Sequence, residues 1–188
     1  TNHGSGEPES RLDVVPLFET IDDLRGCQAL LDAIFSNPAY KKQLALRKNF
    51  QEIMLGYSDS TKDGGYLMAN LALYDAHVQV AAACEKAGVG FRLFHGRGGA
   101  IGRGGGRANH AILSQPPRSL NGKIRFTEQG EVISYRYGLA PFAHRHLEQI
   151  VHAVMLAEPT KPADAPATEP WHDDFVWLAE RSLETYRE

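Results

Sequence analysis

Residues 65–96, GYLMANLALYDAHVQVAAACEKAGVGFRLFHG, join a long alanine-rich segment to a short apolar run. The first part has the composition of a stable helix over residues 65–86, and Gly88 stands where a left-handed residue commonly ends one. Residues 89–94 are mostly apolar, which predicts a buried strand. A helix that leads directly into a buried strand is typical of an α/β fold with a parallel sheet.

The segments on either side repeat this alternation. Further strands are predicted over residues 12–19, 50–57 and 123–127, and further helices over 22–35, 38–47, 109–114, 141–156 and 171–188. Pro16 removes a backbone donor, so we expect irregular pairing in the first strand. A closed (β/α)8 barrel needs ~250 residues, so four strands predict either a partial TIM-like barrel with additional helices or a small open sheet.

The chain divides into three predicted parts. Residues 1–157 form the barrel portion and carry the motifs described below, after a polar start that resembles a surface loop more than a natural N-terminus. Residues 158–170 are rich in Pro, Ala and Thr, which predicts an exposed connector. Residues 171–188 predict an amphipathic helix with Phe175, Leu178 and Leu183 on one side.

Composition excludes several classes of protein. Twenty basic and 23 acidic side chains give a net charge of -3, which argues against a general nucleic-acid or membrane-surface binder. No apolar run approaches the ~20 residues that a membrane span needs. Cys27 and Cys84 lie in helical patterns without metal-type spacing, so we expect buried free thiols and a reducing, cytoplasmic location.

Polar residues follow each predicted strand at the same position. The first two strands end at Glu19 and Asp59, the third at His95 and Arg97, and the fourth at Glu128. The carboxyl ends of the strands surround the active site in βα barrels, so this recurrence favours a functional edge. A single acidic residue at such a place is more often a helix N-cap, and that alternative stays open.

The first two of these residues suit a divalent metal. Glu19 and Asp59 supply hard oxygen ligands from neighbouring strand ends, as Mg²⁺ or Mn²⁺ prefers, and no Cys or His spacing suits zinc. Asp59 could instead cap the helix that follows it. Lys62, three residues further on, could neutralise a substrate charge or simply be solvated.

A glycine-rich segment follows the third strand. Seven of the twelve residues 95–106 are glycine, a composition that lets backbone N–H groups approach an anion closely. Gly98 and Gly99 could supply such groups, and Arg97 and Arg103 add bidentate donors for phosphate or carboxylate. The alternative is a flexible linker. The pattern matches neither the dinucleotide fingerprint nor the P-loop.

Five motifs together resemble bacterial and plant-type phosphoenolpyruvate carboxylases over about residues 15–156. They are VPLFETIDDL (15–24), GYSDSTKDGG (56–65), FHGRGGAIGRGGG (94–106), AILSQPP (111–117) and TEQGEVI (127–133), in that order. The resemblance implies an αβ barrel with many extra helices, a cytoplasmic homotetramer and a lyase-type carboxylase. Its substrates would be phosphoenolpyruvate and bicarbonate.

The resemblance also implies roles for individual residues. Glu19 and Asp59 would ligate Mg²⁺ or Mn²⁺, and Lys62 would lie beside the substrate. His95 would belong to the active site, together with Arg97 on the phosphate. The mobile-loop residue Arg103 would serve catalysis when turned inward, and would also hold the inhibitor, aspartate or malate.

The sequence departs from the family pattern in two respects. Family members are several times longer, and their TAHPTE-type motif, which carries the general-base histidine, does not occur here. We therefore expect the chain alone not to turn over substrate. Arg107 stands where proline is common in relatives. The alternatives are another Mg²⁺-enolate barrel enzyme and a regulatory module that binds a dicarboxylate. No chemistry is assigned to five histidines in helical patterns: His77, His110, His144, His146 and His152.

Overall fold

The computed structural model describes residues 9–96, 108–128, 130–157 and 170–188. The strands are β1 (Leu17–Phe18), β2 (Phe50–Leu55), β3 (Gly90–His95) and β4 (Ile124–Phe126). The helices are α1 (Ile21–Ser36), α2 (Pro38–Leu46), α3 (Ser58–Ala87), α4 (Ala108–Leu113), α5 (Gly130–Tyr137), α6 (Ala140–Ala157) and α7 (His172–Arg187). The strands form one sheet in the order β1-β2-β3-β4, and every neighbouring pair is parallel. This confirms the predicted α/β class with a parallel sheet.

The turn from β1 into α1 is stabilised by a capping box. The Thr20 hydroxyl accepts a hydrogen bond from the Asp23 amide at 3.1 Å, and the Asp23 carboxylate accepts one from the Thr20 amide at 3.2 Å. Hydrogen bonds from the side chain and the backbone of Thr20 to the carboxyl group lower the pKa of Asp23. The amides of Thr20 and Asp23 thus both find side-chain acceptors within the first turn. Helix α1 can therefore begin directly after Glu19 and Thr20.

The main core lies between one face of the sheet and helices α1 and α3. The strands contribute Phe18, Ile53, Leu55, Phe91 and Leu93 to this core. Cys27 and Cys84 are buried in it as free thiols, as predicted. Burial raises the pKa of Cys27 to about 11 and that of Cys84 to about 12, so both thiols stay protonated at neutral pH.

A smaller cluster lies on the far side of β4. Residues of α4 and α6, among them Ile112, Ile150 and Ala153, are buried together with Leu120. No helix in the described ranges is both long and apolar enough to cross a lipid bilayer.

The predicted first strand, residues 12–19, is wrong in extent, since β1 contains only Leu17 and Phe18. Side chains of α2 and β2 bind the residues before Pro16 instead. Gln43 donates to the Leu12 carbonyl at 2.8 Å, and Gln51 donates to the Val14 carbonyl at 2.8 Å. Pro16 cannot donate to a strand ladder, but its carbonyl accepts from the Met54 amide at 2.9 Å, and the paired residues begin at Leu17.

The predicted start of the long helix at residue 65 coincides with a break in the observed helical segment. α3 begins at Ser58, and Gly65 interrupts it with φ 73° and ψ 172°. Gly65 therefore separates the predicted long helix from a short helical segment, residues 58–64, that precedes it.

Two smaller differences concern the C-terminal part. Helix α5 was not predicted, because Gly130 and Gly138 at its ends favour a loop. In α7, Leu183 is buried as predicted, but Leu178 is 46% exposed and Ala179 occupies the buried face. Residues 158–169 of the predicted connector lie outside the described residues.

Candidate functional site

The two predicted metal ligands come from neighbouring strand ends. Glu19 follows β1, and Asp59 lies in the first turn of α3, four residues after β2 ends. The Gly56 amide donates to the Phe18 carbonyl at 2.8 Å, so the strand ends are paired up to this point. A Cβ atom on Gly56 would lie 2.4 Å from the Cβ of Glu19. Only glycine allows β2 to pass so close to Glu19.

Two side chains of the α3 start bind the backbone around Glu19. The hydroxyl oxygen of Ser60 lies 2.6 Å from the Glu19 carbonyl oxygen and 2.9 Å from that of Gly56, and its single proton can serve either acceptor. The Asp63 carboxylate accepts a hydrogen bond from the Ile21 amide at 2.8 Å. The structure therefore brings the main chains that carry Glu19 and Asp59 together.

Asp59 and Lys62 are both open to solvent. The Lys62 ammonium lies 3.0 Å from a carboxylate oxygen of Asp59, with side chains 75% and 54% exposed. An exposed pair of this kind contributes only about 0.2–1 kcal/mol, so a ligand can readily rearrange it. The N-cap of α3 is Tyr57, without a side-chain cap. Asp59 therefore does not act as the N-cap, although its charge suits the first turn of a helix.

This donor set suits a hard ion that keeps much of its water. Among the described residues, no group of three or more His, Cys, Asp or Glu side chains could hold a metal by itself. Mg²⁺ is commonly bound by one or two carboxylates, with water and substrate oxygens completing the shell. Glu19 and Asp59 fit that pattern, whereas a structural zinc site would need four protein ligands.

His95 is the last residue of β3, and its ring packs against α3. Its side chain is 2% exposed and shares the helix-facing side of the strand with Phe91 and Leu93. The Tyr57 hydroxyl lies 2.5 Å from His95 Nδ1. The ring of His77, on α3, stacks on the His95 ring with centroids 5.3 Å apart and planes inclined by 23°.

His77 was assigned no chemistry from the sequence, yet it contacts a predicted site residue. It is 4% exposed, and its Nδ1 lies 2.5 Å from the Leu73 carbonyl oxygen. A histidine in an alanine-rich helix gives no sign of such a partner, because the contact depends on how α3 crosses β3.

Glu128, the predicted fourth strand-end residue, has partners of its own. It is paired with Arg136, and His146 Nε2 lies 3.6 Å from one of its carboxylate oxygens. Burial lowers the pKa of His146, while burial and the nearby Glu128 raise the pKa of Tyr137 to about 12. These contacts join β4, α5 and α6, which favours a structural role for Glu128.

The glycine-arginine segment is described only at its start. Arg97, Gly98, Gly99, Arg103 and Arg107 lie outside the described residues. The Gly96 amide donates to the Leu55 carbonyl at 3.0 Å, so the segment leaves the sheet beside the end of β2.

The fold defines the class: an α/β protein with a parallel sheet, in which Glu19, Asp59 and Lys62 follow the carboxyl ends of the first two strands. The sequence model of the phosphoenolpyruvate carboxylase family matches residues 2–188, and the chain therefore belongs to this family.

Curated relatives named phosphoenolpyruvate carboxylase are similar over nearly the whole chain. The protein from Rhodothermus marinus is 56% identical over 188 residues, which cover 97% of this chain and 20% of the relative. The protein from Roseiflexus castenholzii is 51% identical over 178 residues, covering 95% and 19%. The protein from Corynebacterium glutamicum is 47% identical over 179 residues, covering 95% and 20%. The chain thus spans about a fifth of the length of these relatives.

Proposed function

We propose that this chain supplies part of the active site of a phosphoenolpyruvate carboxylase, which forms oxaloacetate and phosphate from phosphoenolpyruvate and bicarbonate. The observation that carries the proposal is the junction of the two strand ends. Ser60 binds the Glu19 carbonyl and is adjacent to Asp59 in sequence, so the main chains at Glu19 and Asp59 meet at one edge of the sheet, which supports a shared site for their carboxylates. The family membership of the chain supports the same reaction.

Glu19 and Asp59 would hold Mg²⁺ or Mn²⁺. When bound, this ion supplies positive charge that stabilises the negative charge developing on a substrate oxygen. Lys62 is 75% exposed and can turn from Asp59 toward an anionic substrate, where it would neutralise a carboxylate or phosphate. His95 is buried against Tyr57 and His77, which favours positioning the start of the following segment over direct contact with substrate.

Arginines and backbone amides would handle the phosphoryl group. Arg97, with the amides of Gly98 and Gly99, would bind the phosphate, and Arg103 would stabilise charge during its transfer. Bicarbonate attacks phosphorus to give carboxyphosphate and the enolate of pyruvate. Carboxyphosphate then releases CO₂, which the enolate carbon captures. The segment would exclude water that could protonate the enolate, and bound aspartate or malate would withdraw Arg103 from this role.

The face of the sheet opposite the main core supports a partial TIM-like barrel. Glu52 is 9% exposed on this face and lies 2.8 Å from the Arg92 Nε and 2.5 Å from the Arg125 guanidinium. The Arg125 guanidinium lies 4.3 Å from the centre of the Phe94 ring. Side chains at alternate positions fill the interior of a closed barrel, and these residues fit such a layer. Residues 1–157 would form this barrel portion, with 158–170 as connector and 171–188 as a helix of a cytoplasmic homotetramer.

Substituting the segment into a full-length relative tests the proposal. In a hybrid enzyme, this chain replaces the matching segment of the Rhodothermus marinus protein, and oxaloacetate formation is measured with Mg²⁺. We expect the hybrid to be active and the isolated chain to be inactive, because the chain lacks the motif with the general-base histidine. Robust turnover by the isolated chain would contradict this part of the proposal.

The metal role is tested by Asp59→Asn, with Asp174→Asn as a matched control in the first turn of α7. We expect the first variant to lower the kcat/KM of the hybrid about 100-fold or more, and Mn²⁺ affinity, followed by electron paramagnetic resonance, about tenfold or more. The control should change neither. Full activity and unchanged Mn²⁺ affinity in Asp59→Asn would refute the metal assignment.

A further inference from the structure

The break at Gly65 divides α3 into a short first part and a long second part. Asp59 and Lys62 both lie in the first part, residues 58–64. The positive φ of Gly65 interrupts the regular helix ladder at this point. An isolated helical segment of this length is marginal in water, so contacts from elsewhere must hold it in place.

The C-terminal end of α7 covers this break. A Cβ atom on Gly65 would lie 3.1 Å from two ring carbons of Tyr186, so the ring packs directly on the glycine. The Tyr186 hydroxyl donates to the Lys62 carbonyl at 3.0 Å. One side chain therefore contacts the kink and also binds the short segment that precedes it.

A second contact continues from α7 toward Glu19. A guanidinium nitrogen of Arg187 lies 3.6 Å from one carboxylate oxygen of Asp63, and the other oxygen of Asp63 accepts from the Ile21 amide at 2.8 Å. The end of α7 is thus connected through Asp63 to the first residue of α1. Glu19 stands only two residues before that point.

Helix α7 is itself anchored along its length. At its start, His172 Nε2 lies 2.9 Å from a carboxylate oxygen of Asp75 on α3. Its middle buries Ala179 and Leu183 in the main core, and Glu180 pairs with Arg25 of α1. The start of α7 meets the middle of α3 and its end meets the start of α3, so the two helices run antiparallel. These contacts with α1, α3 and the main core hold the end of α7 in place beside the start of α3.

We infer that Tyr186 is a positioning residue for the segment that carries Asp59 and Lys62. Its hydroxyl and ring restrict residues 58–64, so that Asp59 is held beside Glu19 before a ligand arrives. The role in ligand binding rests on the proposed function, whereas the restriction of the segment does not.

The test compares Tyr186→Phe with Tyr135→Phe, which alters a tyrosine that is 85% exposed on α5. Tyr186→Phe keeps the ring on Gly65 and removes only the hydroxyl, so the fold should persist. Loss of one such hydrogen bond should make amide hydrogen exchange in residues 58–64 about threefold to tenfold faster in the metal-free protein. Mn²⁺ affinity should fall by a similar factor, while exchange in residues 66–87 stays unchanged. Tyr135→Phe should alter none of these.

The outcomes separate the inference from the proposed function. Unchanged exchange in residues 58–64 of Tyr186→Phe overturns the inference, whatever happens to the metal. Equal acceleration throughout α3 also overturns it, because a general loss of stability then explains the result. If amide exchange in residues 58–64 becomes faster but the protein does not bind Mn²⁺, Tyr186 does restrict this segment, and the proposed metal site is refuted. The same peptides can be followed in the hybrid enzyme, where a local effect should raise the KM for Mn²⁺ more than it lowers kcat.

Discussion

The hydroxyl oxygen of Ser60 lies 2.6 Å from the backbone carbonyl oxygen of Glu19, although 41 positions separate the two residues in sequence. Ser60 is completely buried, and no water can replace this contact without opening the junction. The contact joins the end of β1 to the first turn of α3, the two places that carry the proposed metal ligands.

Replacing Ser60 with alanine should therefore destabilise the protein and weaken the site. We expect Ser60→Ala to lower the free energy of unfolding by about 1–3 kcal/mol, because it leaves a buried carbonyl without its donor. Ser134→Ala is the matched control, since Ser134 also binds the carbonyl four residues before it, at 3.2 Å, but is exposed. Denaturant unfolding measures both variants. Equal losses would show that the contact with Glu19 adds nothing.

Gly56→Ala should displace Glu19. The new Cβ would lie 2.8 Å from the Cα of Glu19, a backbone atom that cannot move aside cheaply. We expect a loss of about 1–3 kcal/mol of unfolding free energy, together with weaker Mn²⁺ binding. Gly26→Ala in α1, where no atom lies within 4 Å, should instead stabilise the protein by about 0.5–1 kcal/mol. If Gly56→Ala is as well tolerated as Gly26→Ala, the close approach is not required.

Glu52→Gln should remove the carboxylate charge that Arg92 and Arg125 share on the face of the sheet opposite the main core. We expect a loss of about 1–3 kcal/mol, less than for a fully buried pair because both guanidinium groups are partly exposed. Glu85→Gln removes the exposed partner of Arg118 and should cost less than about 0.5 kcal/mol. Thermal and denaturant unfolding give the comparison. A smaller loss for Glu52→Gln than for Glu85→Gln would show that the contacts of Glu52 with Arg92 and Arg125 contribute little to stability.

The pair between His172 and Asp75 should make the attachment of α7 depend on pH. The hydrogen bond to Asp75 raises the pKa of His172 from its ordinary value of 6.5. The charged imidazolium is favoured in the folded state, so its contribution is complete below about pH 6.5 and is lost as the pH rises through the higher folded pKa. We expect the difference in unfolding midpoint between the wild type and His172→Gln to shrink as the pH rises above neutrality. A difference that does not change with pH would show that charge on His172 contributes nothing.

The predicted strands β2, β3 and β4 are confirmed to within two residues at each end, because each is a short apolar run between clear turn signals. The first strand was predicted too long, since its apolar residues before Pro16 bind side chains such as Gln43 that no local pattern reveals. The candidate site was also predictable only in part. The placement of Glu19 and Asp59 after strands could be read from order alone, whereas their roles stay predictions.

The alternation of apolar runs, caps and glycines by itself determined that the chain forms a parallel sheet with helices, and that acidic residues follow two of its strands. Only the tertiary structure decided that Ser60 and Asp63 join those strand ends, that His77 stacks on His95, and that Tyr186 covers the break at Gly65. Local signals act through neighbours within a few residues of each other. These contacts instead join residues far apart in sequence, and their distances depend on how whole elements pack.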